Sequence, residues 1–232
     1  DEQQRMRDGA ALAAATMWEV AHALAPGMTE LDAAALLAAA SKRRGGAATV
    51  TLVGGDDRIA RFRHPLPTQR AIERQAMLVL CLRYRGLVSA LTRTVYFGEA
   101  PAPLRNLSAA VARIDAQVIA ATRAGRTLGE QYELLREAYE RAGAPDAIEQ
   151  HHQGGTIAYR GRETFAQPGS LARIEVGQAF AWNPSMRGAK SEDTVLLTAS
   201  GPEIITAMEQ WPTIPIETDA GVIARPAILD VR

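Results

Sequence analysis

Two of the chain's four histidines stand side by side in His151–His152–Gln153–Gly154–Gly155, and Tyr159, Arg162 and Glu163 follow closely. An imidazole carries protons near neutral pH, and a guanidinium offers a fork of donors to a carboxylate. A helix-to-strand junction crowded with both is a place for acid–base chemistry on a small molecule. A third histidine, His64, sits in Arg61–Phe62–Arg63–His64–Pro65–Leu66–Pro67, where two prolines exclude a helix. Arg162–Glu163 reads first as a rim ion pair, and Trp182 as core.

The elements that must position these residues follow from the pattern of the chain. Helical spacing of Met6, Leu12, Met17, Val20 and Leu24 predicts a helix over 4–24, ended by Pro26–Gly27. Thr29, with Asp32 three places on, predicts an N-cap and a second helix that runs to about 44. β-Branched residues predict a strand at 48–53, a turn follows at 54–57, and apolar runs predict strands at 77–82 and 87–97. The order then repeats, with helices predicted over 104–123 and from Thr127 to 141, a histidine segment, and strands near 174–182 and 193–199. Gly27–Met28–Thr29 and Gly125–Arg126–Thr127 begin equivalent helices. The expectation is one domain over 1–232 with two halves, about 4–100 and 104–210. A cleft between them would be offered a histidine from each side. Prolines 212, 215 and 226 predict extended edge segments in the tail.

Composition narrows the classes. The 232 residues carry 26 basic and 26 acidic side chains, so the formal charge is zero. That argues against a nucleic-acid or membrane-surface binder, which shows a basic excess. The single cysteine, Cys81, forms no internal disulfide, which fits a reducing, cytoplasmic setting. No apolar run approaches the ~20 residues of a membrane span. The chain begins without Met and without a signal-like stretch, as a trimmed chain or the rear part of a longer one would.

Six segments, in order, resemble the pita-bread peptidases: methionine aminopeptidase, Xaa-Pro aminopeptidase, prolidase and creatinase. They are Pro26–Gly27–Met28–Thr29–Glu30, His64–Pro65, Gly86 through Leu91–Thr92–Arg93–Thr94 to Phe97–Gly98, His151–His152–Gln153–Gly154–Gly155, Asn183–Pro184, and Ser191–Glu192–Asp193–Thr194. The resemblance is closer to the Xaa-Pro and creatinase branch. It implies an α/β (α+β) fold of two pseudo-symmetric helix-helix-strand halves around a curved, mostly antiparallel sheet. Members of that branch carry an extra N-terminal domain, expected to be absent here, and are often homodimers.

The same resemblance implies a site of two aspartates, one histidine and two glutamates around two metal ions. This chain departs from it. Ala90 stands at the second aspartate, Val79–Leu80–Cys81 offers no first aspartate, and Asn183 stands at the first glutamate. His152 remains (or His151, with a shifted register), together with Glu192. Two dications bring about +4, and one carboxylate leaves about +3 uncompensated in a cleft, at several kcal/mol per ion. A lone zinc on His152, Glu192 and Cys81 is the less favoured arrangement, because a thiol in an apolar run is ordinarily buried and inert.

No metal and no cofactor are therefore expected. The expectation is a metal-independent, creatinase-like hydrolase of a C–N bond in a small nitrogen-containing substrate, or a related histidine-dependent enzyme. By the resemblance His64, His152 and Glu192 would be catalytic, Glu192 as a base or as an anchor for a cationic group, its pKa raised if it is buried without a partner, and His151, Tyr159, Asn183 and Arg162 would line the substrate. The alternative is an inactive cleft that binds a short peptide or a partner protein; an intact Xaa-Pro aminopeptidase ranks last. Histidines 64 and 152 more than about 10 Å apart would rule out concerted chemistry.

Overall fold

A computed structural model describes residues 1–231. The chain order is α1 (Glu2–Ala23), α2 (Glu30–Arg43), β1 (Ala47–Gly55), α3 (Asp57–Arg61), β2 (Gln75–Tyr84), β3 (Leu87–Phe97), α4 (Ala102–Ala120) and α5 (Leu128–Arg141). A 3-10 turn (Pro145–Gln150) leads to β4 (Gly154–Ile157), β5 (Thr164–Phe165), β6 (Ala179–Trp182), β7 (Ser185–Met186), β8 (Ala189–Lys190), β9 (Asp193–Thr198) and β10 (Gly201–Ile204). The tail forms β11 (Thr213–Thr218), β12 (Gly221–Pro226) and β13 (Leu229–Val231).

Strands run β1-β2-β3-β13 in one sheet and β10-β9-β6-β4-β5 in another. All these pairs are antiparallel except β13 on β3. The two sheets are stitched where β3 meets the second half. Thr92 N donates to Glu192 O at 3.0 Å and Val88 N to Ala158 O at 2.7 Å. Thr194 Oγ1 both accepts from Ala90 N and donates to Ala90 O. The result is a continuous curved surface with helices outside it.

Strand alternation sorts the side chains between the two faces. Leu78, Leu80, Leu82, Leu91 and Val95 pack outward with the apolar faces of α1 and α2. Phe180, Trp182, Val195 and Leu197 pack outward with α4 and α5. Cys81, Ala90, Ala179 and Ala181 gather on the inner face, with Val79 in a small cluster beside Leu52, Ile59 and Met77.

The halves repeat each other in backbone detail. Thr29 and Thr127 each close a full capping box, with Asp32 and Glu130 respectively. Gly27 N donates to Ile72 O at 2.8 Å, and Gly125 N to Ile174 O at 2.9 Å. Ile72 N returns to Met28 O, and Ile174 N to Arg126 O.

One expectation is corrected. The turn foreseen at 54–57 continues as α3. The tail is extended as expected, a β11–β12 hairpin with β13 on the edge of the first sheet, and its Arg225 is fully buried. Gly154 and Gly155 lie in β4 at φ 111° and 147°. A Cβ there would meet Ala181 O at 2.2 Å or Thr164 O at 2.0 Å, so only glycine lets β4 sit between its neighbours. Among the described residues no helix is long and apolar enough to cross a membrane.

Candidate functional site

Three histidines meet above the inner face. The ring centroids of His64 and His151 are 5.6 Å apart, those of His64 and His152 5.8 Å, and those of His151 and His152 6.1 Å. His64 comes from the first half and the pair from the second, well inside the separation that concerted chemistry requires.

Each side of this meeting is held by a buried polar group. On the first side the holder is Glu30, whose side chain is fully buried. It accepts from Gly55 N (2.8 Å), Arg58 Nε (2.8 Å), Thr68 N (2.9 Å) and Thr68 Oγ1 (2.7 Å). Arg58 also donates to Leu66 O, so the His64 loop is pinned at both Leu66 and Thr68. On the second side Tyr139 OH donates to Gln153 Oε1 at 2.8 Å, and Gln153 Nε2 donates back to Ile148 O and His151 O. Ser185 Oγ lies 2.7 Å from His151 Nε2.

His64 and His152 keep exposed faces, while His151 is half-buried. Burial, aided by Lys190, drives the His151 pKa down to about 3. Burial, then Arg162 and Lys190, takes His152 to about 4. His64 is lowered by the same causes, burial first and then Lys190. All three imidazoles are therefore neutral at pH 7.

Beneath them lies Glu192. Arg162 Nη2 donates to its Oε1 at 2.8 Å, Thr92 Oγ1 donates to Oε2 at 2.7 Å, and Lys190 Nζ stands 3.3 Å from Oε2. The three charged side chains are only 8, 3 and 3 % exposed for Arg162, Lys190 and Glu192. Burial alone would raise the Glu192 pKa, but Lys190 and Arg162 more than reverse it, to about 2.

A second ion cluster fixes the chain on either side of Glu192. Arg93 and Arg225 each donate to Asp193 at 2.8 Å, and Arg225 and Ser191 Oγ both donate to Asp115 at 2.5 Å. Thr206 Oγ1 adds a bond to Asp193 at 2.6 Å.

The structure treats the residues expected at the site unequally. It brings together His64, His151, His152, Glu192 and Arg162. Glu192 is corrected from a free base, or an anchor for a substrate cation, to the anchor of the chain's own Lys190 and Arg162, because both its oxygens are taken. Arg162 is corrected from partner of Glu163 to partner of Glu192; Glu163 instead caps Tyr159 N and Arg160 N. Tyr159 does not join the histidines. Its hydroxyl donates to Glu2, its ring faces Gly86, and it lines a separate cavity of about 330 Å³ with Met6, Leu87 and Leu196. Asn183 is buried and its Oδ1 has no partner. Strand alternation after Ala179 and Ala181 places it toward the inner face.

Lys190, Thr92, Ser185 and Glu30 went unrecognised in the sequence. Only Lys190 gave a local signal, as a cation two places before Glu192.

The donor set does not fit two divalent ions. Val79 and Ala90 present hydrocarbon, Asn183 a neutral amide, and the one carboxylate is already neutralised. Among the described residues no three His, Cys, Asp or Glu side chains are placed to hold a metal. Cys81 adds no thiolate: burial, then the Glu192 charge, push its pKa up to about 11. At pH 8 the folded protein should react with a thiol reagent at least about a hundredfold more slowly than in urea. Equal rates by absorbance assay would refute a sealed thiol.

Comparison with known proteins bears on this geometry. The profile of metallopeptidase family M24 matches residues 4–199. An agropine synthesis cyclase of Rhizobium rhizogenes is 28% identical over 204 residues, covering 83% of this chain and 51% of that protein. Prolidase from Pyrococcus furiosus superposes with a TM-score of 0.82 at 20% identity, over 90% of this chain and 64% of that one. Dipeptidase PepE from Mycobacterium ulcerans gives 0.81 at 24% identity, over 89% and 58%. The chain thus spans about half the length of the curated relatives it matches. The structural likenesses establish the curved two-half fold.

Proposed function

The chain belongs to metallopeptidase family M24, and from that premise we propose that it is a metal-independent, creatinase-like hydrolase of a C–N bond in a small nitrogen-containing substrate, or a closely related histidine-dependent enzyme. The observation that carries this reading is the pair of protein cations, Lys190 and Arg162, seated on Glu192 where the family resemblance implies metal ions. Chemistry then falls to protein groups and water. A neutral imidazole, His64 by the family resemblance, takes a proton from water as its oxygen attacks the carbon. The same proton goes to the leaving nitrogen as the C–N bond breaks. His152, stacked on His64 and tilted against Phe165, orients the substrate. The free Oδ1 of Asn183 accepts a substrate N–H. That one relative is named a cyclase rather than a peptidase supports small-molecule chemistry in this branch.

The test is hydrolysis of a panel of small amides, ureas and guanidino compounds by EDTA-treated protein. Turnover is expected to be unchanged by the chelator. His64→Ala should lower kcat/KM about a hundredfold or more with an unaltered melting temperature. Activity lost to EDTA and regained with Mn²⁺ or Zn²⁺ would overturn the proposal.

A further inference from the structure

The floor of the cleft is electrically unbalanced. Lys190 and Arg162 bring two positive charges against the single carboxylate of Glu192, and all three side chains are more than nine-tenths buried. The imidazoles above are neutral. One positive charge is left without a partner in a place where water screens it poorly.

The hydrogen-bond inventory says the same. Arg162 spends Nη1 on Gly161 O and Nη2 on Glu192, and its Nε is buried with no acceptor. Lys190 Nζ has three N–H groups to give, and its ion-pair contact is Glu192 at 3.3 Å. Arg63, beside His64, holds Gln150 Oε1 with Nε and Nη2 and leaves Nη1 buried and idle. Buried donors of this kind call for an acceptor.

We propose that this floor is the seat of a carboxylate carried by the substrate, with its oxygens between Arg162 and Lys190 and its nitrogen end toward His64 and His152. The inference rests on the metal-independent reading above and names the substrate class for it. The polarity is the reverse of a metal site: here the protein supplies the cations and the ligand supplies the oxyanion. A monoanion cancels the surplus charge and takes the idle N–H groups, whereas a neutral ligand does neither. Because the Arg162 Nε is sealed in the free chain, entry must shift loop 158–163. That loop is held by Glu163 on its own amides and by the grip of Arg162 on Glu192.

The test is isothermal titration calorimetry with acetate and N-acetylglycine against acetamide and N-acetylglycinamide, in EDTA at fixed ionic strength. The acids should bind at least tenfold more tightly than their amides. Lys190→Met should weaken the acids at least tenfold and leave the melting temperature unchanged or raised, since the remaining Arg162–Glu192 pair is balanced. Equal affinity for acid and amide overturns the inference, as does acid binding retained in Lys190→Met. A melting temperature lowered by 5 °C or more in that variant makes Lys190 a structural counter-ion and also overturns it. Acid binding that appears only with added Mn²⁺ overturns the metal-independent function as well. No binding with or without Mn²⁺ overturns the carboxylate seat alone.

Discussion

Glu192→Gln is expected to destabilise the protein by about 3–5 kcal/mol, the cost of leaving buried charge without its partner. The substitution keeps shape and size, so packing is not the cause. It strands Lys190 and Arg162 in a region where the three side chains are at most 8 % exposed, and it weakens the bond from Thr92 Oγ1. Urea denaturation at pH 7.5 measures the loss. Adding Lys190→Met should return more than half of it, because one neutralised cation halves the stranded charge. A single-variant loss under about 1 kcal/mol would mean that water reaches this floor and screens it, as at a surface pair.

Lowering the pH from 7.5 to 5 is expected to remove about 2–4 kcal/mol of stability. The sign follows from the histidines. In the folded chain His151 and His152 titrate at about 3 and about 4, below the ordinary 6.5. The unfolded chain therefore takes up protons first as the pH drops below 6.5, and unfolding is favoured. The contribution is complete above 6.5 and drains away down to the folded values. Two such shifts at about 1.4 kcal/mol per unit set the upper figure, and the exposed face of His152 sets the lower. Glu192 plays no part in this window. Its pKa falls from 4.5 to about 2, so its contribution is whole above 4.5 and is lost only in stronger acid. Urea midpoints at several pH values test this, and His151→Asn should remove about half of the slope. A flat profile down to pH 5 would show that the imidazoles are as well hydrated folded as unfolded.

Some of this protein was legible residue by residue. The turns at Gly27–Thr29 and Gly125–Thr127 were readable because a capping box closes within four residues and needs nothing from afar. The two-half organisation followed from their repetition. The apolar run 77–82 marked a buried strand for the same local reason. The substitutions Val79, Ala90 and Asn183 were equally plain, since each is a matter of which side chain occupies a known place in the order of segments.

What the chain brings to fill that space was not legible. Lys190 stands two residues from Glu192, but Arg162 is thirty residues away and had an apparent partner in its neighbour Glu163. Arg225 reaches Asp115 across 110 residues, from a tail read as extended edges. Glu30, a helix N-terminal acid by sequence, proves to be the buried pin of the His64 loop. By itself the sequence determined the fold, its internal repeat and the missing metal ligands, all of which are written in local pattern and residue type. The tertiary structure alone decided which charges neutralise one another, because ion pairing depends on distance and burial, and separation along the chain fixes neither.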